Sequence, residues 1–147
     1  MAINTEKDLT NYIFNIFKSY FKKNADLTLE KEGALEYTLP NNVLLSHKSD
    51  ILITNKRKKY VSIEVKFKSA VTDQFKSRSY DMLHLKSKYS KNILGILIFV
   101  KVPGHGISIE KAKKISYPFD SFMGIDFQKL KNDVFQDLLS EIQKFYS

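Results

Sequence analysis

The chain contains no cysteine, which excludes disulfide staples, thiolate metal sites and thiol nucleophiles. Its three histidines, His47, His84 and His105, lie too far apart for zinc-ligand spacing. Glycine and proline are sparse, five and three in 147 residues, and no linker, internal repeat or low-complexity tract divides the sequence. One domain is therefore predicted over 1–147. The longest apolar run, Ile93–Val100, has eight residues, far short of the roughly 20 that cross a bilayer. The first residues carry acids and lack a basic stretch ahead of an apolar one, unlike a signal peptide. Together these absences predict a soluble, cytoplasmic protein with no membrane partner. No G-x-S-x-G, Walker or dinucleotide-binding pattern is present either.

What the chain does have is positive charge, and it is concentrated. Between Lys56 and Lys91 there are eleven Lys or Arg and only three acids, which accounts for the entire net charge of +8. The remainder of the chain holds thirteen residues of each sign. A basic field confined to one segment predicts a polyanionic partner, most simply nucleic acid.

Periodicity organises the same chain into alternating elements. Apolar residues Leu9, Ile13, Ile16 or Phe17, and Tyr20 recur at helical spacing, so a helix is predicted from about Glu6 to Lys23, opened by a Thr5/Asp8 variant of the capping box. Residues 25–40 read as an extended pair turning at Glu32-Gly33. Strands follow over Asp50–Asn55 and Tyr60–Lys68, then a helix starting near Thr72 with Phe75, Ser79, Met82, Leu83 and Leu85 inward. The run from Asn92 to Val102, rich in Ile and Val, predicts a strand buried on both faces. A short helical piece over 109–115, a strand at 122–126 and a terminal amphipathic helix over 127–146 complete the series. Helix followed by a buried strand implies a parallel crossover, so the expected fold is α/β with a mixed central sheet.

One hairpin carries charge where strands usually have none. In Tyr60–Lys68, Val61, Ile63, Val65 and Phe67 share one face, and Ser62, Glu64, Lys66 and Lys68 the other. If the hairpin is symmetric about Arg57, Asp50 falls opposite Glu64. Directly opposed carboxylates repel, roughly 5 Å apart at Cβ, unless a cation neutralises them. Mg²⁺ suits the pair because it binds through one or two carboxylates and keeps water or phosphate oxygens as its other ligands. Lys66 then stands where an ammonium orients water or stabilises charge on a phosphate under attack. A rival reading makes Glu64 and Lys66 the exposed face of an edge hairpin.

The motif Ser49-Asp50, thirteen residues, then Glu64-Val65-Lys66 resembles the signature of the PD-(D/E)XK nuclease superfamily, and the order of elements over roughly 5–102 is similar to that superfamily's core. Ser49 stands where the pattern often has Pro. The resemblance implies a restriction-endonuclease-like fold: a mixed sheet flanked by helices, with an α-β-β-β-α-β core plus a C-terminal helix. It also implies Asp50 and Glu64 as metal ligands for Mg²⁺, or Mn²⁺ in its place, and Lys66 as the catalytic lysine. Glu6 matches the additional acid that some members carry on the first helix. Gln74 and Tyr80 are six apart, which does not fit the Gln-x-x-x-Tyr subfamily.

Around this core, Arg57, Lys68, Lys76, Arg78, Lys86 and Lys88 are candidate phosphate-backbone contacts. His84 lies near the apolar side of its helix and reads as a packed residue. His47 precedes the Asp50 strand with its role open. The loop around His105 is a poor phosphate cradle, since no helix N-cap pattern follows it closely. The expectation is a metal-dependent endodeoxyribonuclease acting on double-stranded or branched DNA, either a junction resolvase or a compact restriction enzyme. Cutting both strands calls for two sites, so a homodimer is expected. The alternatives are a non-catalytic nucleic-acid-binding module and a protein-interaction subunit with a basic face.

Overall fold

The computed structural model describes residues 2–68 and 72–147. Its elements begin with α1 (Glu6–Tyr20), which buries Leu9, Ile13 and Phe17 along one stripe. The predicted capping box is present: Thr5 Oγ1 accepts the Asp8 N–H at 3.1 Å, and Asp8 Oδ2 accepts the Thr5 N–H at 3.1 Å. The helix stops three residues earlier than the periodicity predicts.

Three long strands follow, β1 (Leu27–Thr38), β2 (Leu44–Asn55) and β3 (Tyr60–Lys68). Then come α2 (Thr72–Tyr89), β4 (Ile93–Lys101), the short α3 (Ile109–Lys114), β5 (Ser121–Asp126) and α4 (Gln136–Tyr146). The sheet order is β1-β2-β3-β4-β5. The first three strands form an antiparallel meander and the last three are parallel. The expected mixed sheet and α-β-β-β-α-β core with a C-terminal helix are thus the fold of this chain.

Both faces of the sheet are covered. On one, α1 and α4 bury Ile51, Ile53, Val61, Ile63, Val65, Phe67, Ile96, Ile98 and Val100. On the other, α2 packs Met82 and Leu85 over Leu35, Tyr37, Leu52 and Ile93, and Phe75 meets Leu97, Phe99 and Ala112 of α3. Burial on both sides explains the continuous apolar run of β4. Among the described residues no helix is long and apolar enough to cross a membrane.

Four expectations are corrected. Residues 32–33 make no turn: β1 runs through them, pairing with β2 on either side, Lys31↔Ile51 and Gly33↔Ser49. Glu32 takes a φ of 56° within the strand, a local kink that a turn pattern mimics. Leu83 faces outward, 48% exposed, because it sits about 100° round the helix from buried Met82. Residues 127–135 form two 3₁₀ turns instead of helix, pinned by Phe135 against Phe17 and by the Tyr12 hydroxyl donating to Asn132 at 2.6 Å. Ser108 does cap α3, accepting the Lys111 N–H at 3.0 Å.

Gly33 is required by packing. A Cβ there would stand 2.7 Å from the Cβ of buried Leu52. Gly33→Val is expected to lower stability by about 1–3 kcal/mol through overpacking, measured by urea denaturation. A loss below about 0.5 kcal/mol would show that the strand yields at no expense.

Candidate active site

The hairpin closes in the register that symmetry about Arg57 predicts, with Thr54↔Tyr60, Ile53↔Val61, Leu52↔Ser62 and Ile51↔Ile63. The ladder ends there, one step short of Asp50 and Glu64. Beyond it β3 continues beside β4 as far as Lys68, while β2 stays with β1. The two strands therefore part at the predicted carboxylates, and the edge of β3 that faced β2 is left without a strand partner.

Acids take the vacated positions. Asp50 Oδ2 accepts the Val65 N–H at 2.7 Å, and Glu6 Oε2, from the first turn of α1, accepts the Phe67 N–H at 3.3 Å. Lys66 lies between them in sequence, with Nζ 3.7 Å from Glu6 Oε1. So Asp50 does not stand across a ladder rung from Glu64 as the simple hairpin predicts. Alternation in β2 resets at Asp50. Ser49 meets Ser62 on the α2 side at 2.6 Å although Ile51, two residues on, faces α1. The reset aims Asp50 at the edge of β3. There it borders an open cleft of about 440 Å³, together with Glu6, Lys7, Asn11, Lys31 and Glu32.

Glu64 keeps the predicted face, but that face is no solvated surface. Glu64 is fully buried and Lys66 is 8% exposed, which removes the exposed-hairpin reading. Both Glu64 oxygens have protein partners: Arg78 Nη1 donates to Oε2 at 2.7 Å, and His47 Nε2 meets Oε1. His47 Nδ1 faces Asp81 Oδ2 at 3.0 Å, and Asp81 Oδ1 accepts the Tyr37 hydroxyl at 3.0 Å. The result is a chain Tyr37–Asp81–His47–Glu64–Arg78 beneath α2. An imidazole with a carboxylate oxygen at each nitrogen is satisfied as the protonated ring, which donates twice.

The electrostatics follow from this packing. Burial pushes the Glu64 carboxyl up to about 6, helped by the nearby Asp50 charge and opposed by His47 and Arg78. Burial works against a charged His47, but its bonds to Glu64 and the charges of Glu64 and Asp81 outweigh that and raise its pKa. Both groups bind protons more tightly folded than unfolded, so stability should fall as pH rises. The Glu64 share is lost between about pH 4.5 and 6 and amounts to about 2 kcal/mol; the His47 share is present below about 6.5 and is lost as pH passes its raised folded value. Urea denaturation of wild type and Glu64→Gln in EDTA, from pH 4.5 to 8, checks this. The difference between the two curves should decline with pH, and a difference that grows would contradict the assignment.

The predicted phosphate contacts separate in space. Arg78 sits on Glu64, Lys76 is exposed on α2, and Lys68 ends β3 with a φ of 78°. Lys86 pairs with Asp120 at 2.6 Å, and Lys88 donates to the Glu36 carbonyl at 2.8 Å. Arg57 lies at the opposite end of the sheet, six residues along β3 from Lys66 when measured from Tyr60, or about 20 Å. The basic segment is therefore divided between the two ends of β3 and does not all surround the site. His84 is half-buried and stacks on Tyr37, with ring centroids 5.0 Å apart. Lys7 and Lys31 at one cleft, and Lys48 beside Lys66 and Arg78, are cations that sequence reasoning missed. The acid Asp81, which holds His47, was missed too; its only signal is its spacing of three from Arg78 on α2.

Among the described residues no group of three or more His, Asp or Glu side chains is arranged to hold a metal. Asp50 and Glu64 are both oxygen donors, the Asp50 charge bears on the buried Glu64 carboxyl, and these two could hold a hard cation between them. No buried side-chain polar atom among the described residues lacks a partner, and Arg78 and His47 serve both oxygens of Glu64.

Neither a known protein family nor a curated protein matches the sequence. Solved structures do. The chain is similar to EndoMS in complex with double-stranded DNA, with 13% identity and a TM-score of 0.45, covering 86% of this chain and 47% of that one. It is also similar to a repair endonuclease from Pyrococcus abyssi, with 19% identity and a TM-score of 0.46, covering 86% and 49%. A third similar structure is a protein of unknown function, with 10% identity and a TM-score of 0.49. The chain spans about half the length of each of the first two.

Proposed function

We propose that this protein is a divalent-metal-dependent nuclease that hydrolyses phosphodiester bonds in DNA. The observation that carries this reading is the parting of β2 and β3, where Asp50 and Glu6, both beside a cleft, take the open edge of β3 on either side of Lys66, and the buried Glu64 carboxyl lies within reach of the Asp50 charge. Asp50 and Glu64 would hold Mg²⁺, or Mn²⁺ in its place, and the ion supplies Lewis-acid stabilisation of charge on the phosphate. In hydrolysis a water oxygen joins phosphorus, one P–O ester bond breaks, and a phosphomonoester and a hydroxyl result. Lys66 would orient that water or neutralise the phosphate as it gains charge. Glu6 restrains the Lys66 ammonium from the α1 side. Lys7 and Lys31 at the Asp50 cleft, Lys48 at the depression beside Lys66, and exposed Lys68 and Lys76 would line a phosphate backbone. A homodimer would place two such sites on one duplex, branched or linear.

A second reading, a nucleic-acid-binding module without chemistry, is favoured by one observation: Arg78 and His47 already neutralise Glu64. Incubation of linear and branched DNA with Mg²⁺ or EDTA separates the two. Wild type should cut only with Mg²⁺ and Asp50→Asn should not cut at all. Binding without Mg²⁺-dependent cutting would establish the second reading instead.

A further inference from the structure

We infer that Arg78 gates the proposed metal site: it holds Glu64 in the free protein and passes to the DNA phosphate when a cation takes its place. This rests on the nuclease reading above and adds a regulatory step to it. Glu64 has two carboxylate oxygens, and the structure occupies both. The Oε1 side is fixed, because His47 is itself held by Asp81, and Asp81 by Tyr37. The Oε2 side is the one that can open. The Glu64 side chain is 1% exposed whereas that of Arg78 is 24% exposed, so the guanidinium stands at the boundary between buried carboxylate and solvent. It borders the same depression as Lys48 and Lys66.

With Oε1 held through His47, Asp81 and Tyr37, a cation shared by Asp50 and Glu64 would have to take Oε2, and Arg78 would have to release it. Leaving a buried carboxylate unpaired is strongly unfavourable, so the arginine departs only as another positive charge arrives. Once released, its planar fork of donors matches a phosphodiester better than any lysine nearby. Cation binding and phosphate binding are then coupled through one side chain, and the coupling is reciprocal. In the free protein the cation competes with Arg78 and binds weakly. Without the cation, Arg78 is spent on Glu64 and adds little to DNA affinity.

The test uses the full chain, Arg78→Gln, Asp50→Asn and the double variant, with folding checked by circular dichroism. Calorimetric titration of Mn²⁺ at pH 8 without DNA should show Arg78→Gln binding about tenfold more tightly than wild type, an increase absent from the double variant. Anisotropy with a phosphorothioate duplex that resists cleavage gives the second readout. Arg78→Gln should match wild type within about twofold in EDTA and bind about tenfold more weakly in Ca²⁺. Equal Mn²⁺ affinity in Arg78→Gln and wild type, or the same loss of DNA affinity in EDTA and in Ca²⁺, would overturn the gate while leaving the metal site standing. Mn²⁺ binding indifferent to Asp50 in every variant would overturn the metal site and the gate with it. Should Arg78→Gln fail to fold, the Arg78 side-chain N–H resonance of wild type decides: Mg²⁺ should shift it and abolish its protection, and an unmoved signal at saturating Mg²⁺ would exclude the gate.

Discussion

Replacing Lys66 by alanine is expected to slow Mg²⁺-dependent DNA cleavage by a factor of about 10²–10³ and to change DNA affinity by no more than a few-fold. The side chain is 10% exposed, and its ammonium has Glu6 Oε1 at 3.7 Å, so it is poised at one spot and is not a mobile surface cation. A charge held in advance acts where charge develops and needs no rearrangement as the reaction proceeds. Exposed neighbours such as Lys76 belong to another class: their loss should weaken binding uniformly and flatten its salt dependence while leaving the bound rate unchanged. Single-turnover cleavage at saturating protein separates the effects. Wild-type rates in Lys66→Ala would remove the lysine from the chemistry.

Phe75→Ala is expected to destabilise the protein by about 3–5 kcal/mol. Phe75 has no exposed surface and meets Phe99 edge-on, with ring centroids 5.4 Å apart, in a cluster with Leu97 and Ala112. A cavity there cannot be filled by neighbours already locked between sheet and α3. The position also matters for the site, because Phe75 anchors the early turns of α2 that carry Arg78 and Asp81 to Glu64 and His47. A loss below about 1.5 kcal/mol in urea denaturation would show that the helix is held elsewhere.

The elements that were legible in the sequence are those set by local pattern. Strict alternation placed Val61, Ile63, Val65 and Phe67 against α1 and α4, and the turn between Asn55 and Lys59 fixed the register of the hairpin. Thr5 and Asp8 announced the start of α1, and the Ile/Val-rich run announced a strand covered on both faces. What stayed hidden was non-local. Glu32-Gly33 carries turn chemistry, but pairing with β2 on both sides holds it in a strand. The link from His47 to Asp81 spans 34 residues and exists only because the fold brings α2 to β2. Charge adjacent along the chain was divided in space, since Lys56–Lys59 and Lys66–Lys68 lie at opposite ends of one strand. Asp50, Glu64 and Lys66 stood out as candidates because charge inside a strand pattern demands a partner. Which partner each one finds did not.

The proposed holding of a divalent cation by Asp50 and Glu64 together is tested by crystals soaked in Mn²⁺ and measured near the manganese absorption edge. An anomalous peak about 2.1 Å from oxygens of both residues is expected, with Arg78 withdrawn from Glu64. A soaked crystal with no peak at Asp50, and with Arg78 still donating to Glu64, would contradict it.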